Sequence, residues 1–267
     1  MAEKKADIGI FGGSGFYSFI EHIEEISVDT PYGPPSSKVA IGEVSGKKVA
    51  FLPRHGRDHE YPPHMINYRA NIWAMKSLGV EQIIGPCASG SLQPEIRPGT
   101  FVFCDQFVDR TSGRKDTFYD GPVTTHVSAA DPYCAAMREV AYKTAKELDI
   151  PAVNGGTVVV IQGPRFSTRS ESKWFSSMGW EVINMTQYPE AYLARELEMC
   201  YLNVSLITDY DVGLEGVPEI APVSHEEVVK VFMQNNEKLK DFLLALIPKI
   251  PEVRDCSCYR ALEGARF

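Results

Sequence analysis

The sequence predicts a single α/β domain, on three observations. Short apolar, β-branched runs, among them 156–161 and 201–207, alternate with stretches of helical period. Loops of small residues near Ser14, Arg54 and Ala88 follow such runs, and a parallel sheet would gather them on one rim. At 267 residues the chain has room for one large or two small domains. No repeat, low-complexity segment or long linker divides it, so 1–251 reads as one domain and 252–267 as a loose tail with Cys256-Ser257-Cys258.

Composition narrows the partners. Hydrophobic residues make up 44% and charged residues 23%, ordinary values for a soluble globular protein. The net charge is −8 and no Lys/Arg run occurs, which argues against nucleic acid or an anionic membrane as partner. An anionic ligand must then be held by a few local cations and backbone N–H groups. No apolar run has the roughly 18 residues of a membrane span. The first residues mix charges and lead straight into a strand, unlike a signal peptide, so a cytoplasmic protein is expected. The 6 cysteines are scattered and no histidine accompanies them at zinc spacing, so buried free thiols and no metal are expected.

The chain opens with an apolar strand over 7–11 that runs into Gly12-Gly13-Ser14-Gly15. Backbone N–H groups in such a turn can close on a phosphate, with the Ser14 hydroxyl beside them. The third glycine and the helix of a dinucleotide-binding turn are both missing, and a plain tight turn is the alternative. Strands over 38–41 and 47–52 follow, the second delivering Pro53-Arg54-His55-Gly56. A guanidinium fork and an imidazole on a glycine turn suit a tetrahedral oxyanion; two surface polar residues are the plainer reading. His59, His64 and His126 are too irregularly spaced for a metal cluster. An amphipathic helix over 67–78, with Ile72, Trp73, Met75 and Leu78 on its apolar side, ends at Gly79. A strand over 82–84 opens into the loop 85–91.

A strand over 100–107 leads to a polar excursion, 109–125, whose Phe118-Tyr119 suits a subunit contact or a lid. A helix over 131–148 has Pro132 in its first turn, and 156–161 is a central buried strand. Beyond it, Phe166 offers a platform for a flat base, or else a core or interface contact. Ser167 or Thr168 caps a helix bearing Trp174 and Phe175. A strand over 181–184 and a helix through Cys200 precede the strand 201–207, which ends in Asp209 and Asp211. In extended chain, carboxylates at i and i+2 point to one side, and the carboxyl end of a parallel strand is where open α/β sheets bind ligands. A strand-ending turn is the alternative. A Gly/Pro-rich loop over 213–222, a capping box at Ser224-His225-Glu226-Glu227 and a helix to about Ile247, stopped by Pro248, complete the chain.

Gly12-Gly13-Ser14-Gly15, Pro53-Arg54-His55-Gly56, Gly163-Pro164-Arg165-Phe166-Ser167, Asn184-Met185-Thr186 and Thr208-Asp209-Tyr210-Asp211 stand in the order seen in the trimeric purine nucleoside phosphorylases. Within that family the chain most resembles the 5'-methylthioadenosine phosphorylase branch, over nearly its whole length. The resemblance implies a nucleoside phosphorylase fold with a mixed, partly barrel-like sheet flanked by helices, assembled as a homotrimer or dimer of trimers. It implies reversible phosphorolysis of S-methyl-5'-thioadenosine, and of adenosine, to adenine and the (methylthio)ribose-1-phosphate. Inorganic phosphate is co-substrate, and no metal or organic cofactor is required.

Carried over by residue, the resemblance implies a phosphate site of Ser14, Arg54, His55, Cys87, Ala88 and Thr186. Cys87 departs from the family's threonine; a thiol is a poorer donor, so any contact there falls to the backbone N–H. Met185 would lie against the ribose, and Phe166 against the purine face beside Ser167. Asp209 and Asp211 would read the base, and His126 would reach the sugar's 5' end in a neighbouring subunit. His225 stands where a methylthioadenosine phosphorylase is expected to carry an apolar residue. It could bond a 5'-hydroxyl, or simply face solvent. The Cys256-Ser257-Cys258 tail is similar to tails of thermophilic archaeal relatives, some of which carry disulfides, and Cys134 and Cys200 could pair in the same way.

The chemistry fits these roles independently. A purine anion leaves poorly, so glycosidic cleavage needs a proton at N7, and an ordinary Asp is only about one part in a thousand protonated at pH 7. Burial and a neighbouring carboxylate both raise that fraction. The acid pair favours adenine-type bases, since relatives specific for 6-oxopurines carry a neutral Asn near this place. The alternatives are a general purine nucleoside phosphorylase acting on inosine and guanosine and, from another class, a nucleoside-binding protein without catalysis.

Overall fold

β5, Gln82–Ser91, is the strand at which the sheet divides. The computed structural model describes residues 4–12, 21–214 and 225–266. The first residues of β5 pair in parallel with β1 (Ile8–Gly12), from Ile8↔Gln82 to Ile10↔Ile84. Its last residues pair antiparallel with β10 (Val182–Asn184), at Ile183↔Gly90 and Val182↔Ser91. The other edge carries β11 (Cys200–Tyr210) along its whole length. Between Ile84 and Gly90, therefore, one edge of β5 lacks a paired strand among the described residues, and an opening is left in the sheet.

From β1 the sheet continues through β4 (Lys47–Pro53), β3 (Val39–Val44) and β2 (Glu21–Ile26). From β10 it continues through β9 (Thr157–Ile161) to β7 (Gln106–Arg110). β11 pairs on its far side with β6 (Phe101–Phe103), and β6 with β8 (Ala152–Asn154). Only Cys104-Asp105 separates β6 from β7. The β10–β9–β7 and β11–β6 arms thus meet in one stretch of chain, and the sheet nearly closes into the mixed, partly barrel-like form expected.

Helices cover both faces: α1 (Tyr68–Ser77), α2 (Ala135–Glu147), α3 (Arg169–Ser177), α4 (Gln187–Glu196) and α5 (His225–Leu246). Alternation along β1 sends Ile8 and Ile10 into one core with Phe103 and Phe242, and Phe11 into another with Ile72, Ile83 and Tyr201. Burial on both faces is why this strand reads as one apolar run. Among the described residues, no helix is long and apolar enough to cross a membrane.

Several elements differ from expectation. Residues 85–91 are strand, not loop: they are small because β11 crowds them, and a Cβ on Gly85 would stand 1.9 Å from the Tyr201 hydroxyl. The run 100–107 breaks into β6 and β7, each serving a different arm. α2 starts at Ala135 behind Cys134 as N-cap, so Pro132 precedes the helix. Cys200 opens β11 rather than closing a helix. β2 was not foreseen, since its sequence, Glu-His-Ile-Glu-Glu-Ile, is acidic in the manner of a protected edge. Thr168 is the α3 cap, in a capping box with Glu171. The tail after Pro251 is docked, not loose: Cys258 is buried, Leu262 N–H donates to Glu198, and Thr125 bridges to Arg266. The glycine loop with Ser14, the loop 215–222 and the Ser224 cap lie outside the described residues.

Candidate active site

The two acids are set by an irregularity in β11. Its register with β5 passes from Ile207↔Ser89 to Asp209↔Gly90, leaving Thr208 as the extra residue of a bulge. Asp209 therefore still belongs to the strand, and Asp211 follows it. Both sit over Gly90, where an added Cβ would lie 3.5 Å from Asp209 Oδ2 and 3.7 Å from Asp211 Cβ. The Thr208 hydroxyl donates to Asp209 Oδ1 at 2.6 Å. The Ser167 hydroxyl donates to Asp211 Oδ1 at 3.1 Å and lies 2.7 Å from Ser172 Oγ. Asp211 Oδ2 is buried with no hydrogen-bond partner among the described residues, a costly arrangement unless a ligand donates to it. Burial raises the Asp209 pKa; the Thr208 hydroxyl opposes this and the Asp211 charge adds to it. Next to Ser167, Phe166 is 82% exposed, an aromatic ring with little cover from the described residues.

Arg54 stands at the other end of the opening. It follows β4, and its backbone N–H donates to Gly12 O at 3.1 Å, joining the ends of β4 and β1. Arg54 is 3% exposed. Nε and Nη2 donate to the two Glu190 oxygens at 2.6 and 2.7 Å, and Nη1 donates to Pro86 O at 3.0 Å. Glu190, from α4, also accepts from the Tyr201 hydroxyl at 2.5 Å. Burial works against the Arg54 charge, and the Glu190 carboxylate outweighs it. His55 Nδ1 is 2.8 Å from Tyr61 O; a carbonyl only accepts, so Nδ1 carries the hydrogen and Nε2 is left as an acceptor. Burial first, then the Arg54 charge, lower the His55 pKa to about 4. The ring is neutral at pH 7, so His55 offers an acid phosphate an acceptor rather than the further donor expected.

Cys87 and Ala88 point to opposite sides of β5. The thiol is buried among polar groups, with Asn184 Nδ2 at 3.2 Å and Gln187 Nε2 at 3.6 Å, and burial raises its pKa. Ala88 is exposed. Pro86 O faces Arg54 and Gly90 faces β10, so strand alternation turns the Ala88 N–H toward the same opening. Thr186 is 5% exposed at the N-cap of α4 and its side chain makes no cap bond, which leaves its hydroxyl for an anion, while the Thr186 and Gln187 N–H groups donate to Asn184 Oδ1 and the helix is kinked at Tyr188. Met185 precedes it, its carbonyl held by Arg114 Nη2 at 3.0 Å.

Pro86 and Gly90 are four residues apart, about 13 Å along a strand. Arg54, Ala88 and Thr186 thus flank one part of the opening, and Asp209, Asp211 and Ser167 the other. His126 is exposed, on a segment whose backbone bonds to Ala265. His225 begins α5, but its side chain lies outside the described residues, as does Ser14. Sequence reasoning missed Glu190 and Tyr201. Glu190 lies 136 residues from Arg54, and no local spacing could join them.

A model of the phosphorylase superfamily matches residues 7–248. A Streptomyces coelicolor protein named purine nucleoside phosphorylase is 52% identical, covering 99% of this chain and 97% of its own. An S-methyl-5'-thioadenosine phosphorylase of Thermofilum pendens is 53% identical, covering 98% and 99%. Among solved structures, a double mutant of an adenosine/methylthioadenosine phosphorylase from Schistosoma mansoni, in complex with adenine, superposes with a TM-score of 0.88. It shares 32% identity over 98% of this chain and 99% of that one.

Proposed function

We infer the reaction from one premise: the chain belongs to the phosphorylase superfamily. It is a pentosyltransferase that carries out the phosphorolysis of S-methyl-5'-thioadenosine, and we read adenosine as a second substrate. The observation that carries the choice of base is the half-buried acid pair over Gly90, with the buried Asp211 Oδ2 unpartnered among the described residues.

Asp209, its pKa raised chiefly by burial, donates its proton to purine N7 as the bond from C1' to N9 breaks, and its other oxygen and the unpartnered Asp211 Oδ2 accept from the exocyclic amine. The departing electron pair stays on the base, which leaves as neutral adenine. A phosphate oxygen then bonds to C1' of the oxocarbenium-like sugar. Arg54, held by Glu190, the Ala88 N–H, Thr186 and the Ser14 hydroxyl grip that phosphate, and His55 accepts from a phosphate hydroxyl. By the alternation that aims the Ala88 N–H at the opening, the Cys87 N–H faces β11, so Cys87 only supports the phosphate site from behind. Met185 lies against the ribose, Phe166 covers the purine, and Ser167 orients Asp211. His225 and a neighbouring subunit's His126 meet the 5' substituent. The assembly is a homotrimer or a dimer of trimers, the compartment is the cytoplasm, and no cofactor is needed.

The Streptomyces relative's name supports a second reading, phosphorolysis of 6-oxopurine nucleosides. Base release with and without phosphate, across methylthioadenosine, adenosine and inosine, separates the two. The expected result is phosphate-dependent release of adenine from the first two. Faster release of hypoxanthine would overturn the base assignment. Asp209→Asn should lower kcat by about 10²–10⁴-fold, the range for a general acid; wild-type turnover in that variant would remove Asp209 from the mechanism.

A further inference from the structure

Cys134, Cys200, Cys256 and Cys258 bring their sulfurs together: all four Sγ atoms lie within 4.8 Å of one another. Three of these thiols are buried and Cys256 is half-buried. They come from separate parts of the fold. Cys134 is the N-cap of α2, Cys200 is the first residue of β11, and the other two belong to the C-terminal segment.

Each part is fastened without help from the sulfurs. The Cys134 N–H donates to Tyr201 O at 2.9 Å, locking helix cap to strand. The C-terminal segment is held by Arg254, which donates to Glu198 O at 2.6 Å and to Glu81 at 3.0 Å, and by the Leu262 N–H on Glu198 at 3.2 Å. The convergence is therefore built by the fold.

We propose that these four cysteines form a closed structural site for Zn²⁺. Metal–sulfur bonds of about 2.3 Å place tetrahedral sulfurs about 3.8 Å apart, within the span seen. Cys200 and Cys256 Sγ are 3.4 Å apart, a contact that runs between β11 and the C-terminal segment. Cys134 sits at a helix N-terminus, where the dipole favours thiolate, the form that ligates. Four protein ligands leave no open position, so the site is structural and separate from phosphorolysis. Its role is to tie the C-terminal segment to α2 and β11. That segment also accepts the His126 N–H through Ala265, so the metal would steady the loop that carries His126.

The test uses the full chain, reduced and then exchanged into Zn²⁺ or Co²⁺. About one zinc per chain should survive dialysis and disappear in Cys256→Ser/Cys258→Ser. The wild-type Co²⁺ protein, which needs no variant to fold, should show the d–d and charge-transfer bands of a tetrahedral tetrathiolate. Metal retained at well under one per chain, cobalt bands of octahedral type, or disulfides among these cysteines in the protein as isolated would each overturn the proposal.

Discussion

Arg54 cannot be understood apart from Glu190. A buried guanidinium without a partner is costly, and a buried guanidinium whose whole fork is neutralised would be useless to phosphate. Here both Glu190 oxygens take Nε and Nη2 while Nη1 takes Pro86 O, which fixes the plane and leaves the remaining N–H bonds for a ligand. Glu190→Gln replaces one acceptor by a donor that faces an N–H. Breaking one partner of a buried pair should cost roughly 3–5 kcal/mol of stability, read by denaturant unfolding. Because Glu190 positions Arg54 and touches no substrate, KM for phosphate should rise about tenfold or more while KM for nucleoside holds. Equal effects on the two would mean that the residue only supports the fold.

At the scale of elements, β5 does two jobs with one set of small residues. Gly85 lets β11 approach, Ala88 presents backbone to the opening, and Gly90 makes room for the acids. From sequence alone these residues read as a loop, because a strand this poor in side chains looks like a turn. The long-range partners that make it a strand, Tyr201 above all, are invisible in local pattern. What the sequence did show was carried by periodicity and caps: β1, β4, α1 and the Thr168 cap of α3 stand close to where they were expected. The acid pair was legible from i,i+2 spacing, but the bulge at Thr208 and the hold of Ser167 on Asp211 were not. The cysteine cluster was hidden for the same reason as the Arg54–Glu190 pair, since its members are far apart in the chain. Gly85→Ala tests the packing claim. A methyl group placed 1.9 Å from the Tyr201 hydroxyl must displace an oxygen bonded to Glu190. The expected loss is about 1–3 kcal/mol, the cost of overpacking a core. Gly85→Ala with Tyr201→Leu should lose less than the sum of the singles, since the hydroxyl and the ring carbons Cζ and Cε1, at 2.4 and 2.8 Å from the added methyl, are all gone.

The whole molecule raises the question of where one active site ends. Phe166 is bare at 82% exposure, and His126 lies on an exposed segment tied to the C-terminal residues. Both make sense if a second copy completes the site, as the family resemblance implies. In a closed trimer each site would take Asp209 from one subunit and His126 from the next. Asp209→Asn alone should be nearly inactive, and His126→Ala alone should lose on the order of tenfold with adenosine, the worth of one hydrogen bond to a substrate hydroxyl. Co-expressed in equal amounts, the two variants should form mixed trimers. A site is then wild type whenever a His126→Ala subunit has an Asp209→Asn neighbour on the correct side, which random mixing gives about one quarter of the time. Activity per subunit should therefore exceed the mean of the separate variants. If both residues act within one chain, no arrangement restores a complete site and the mixture stays at that mean.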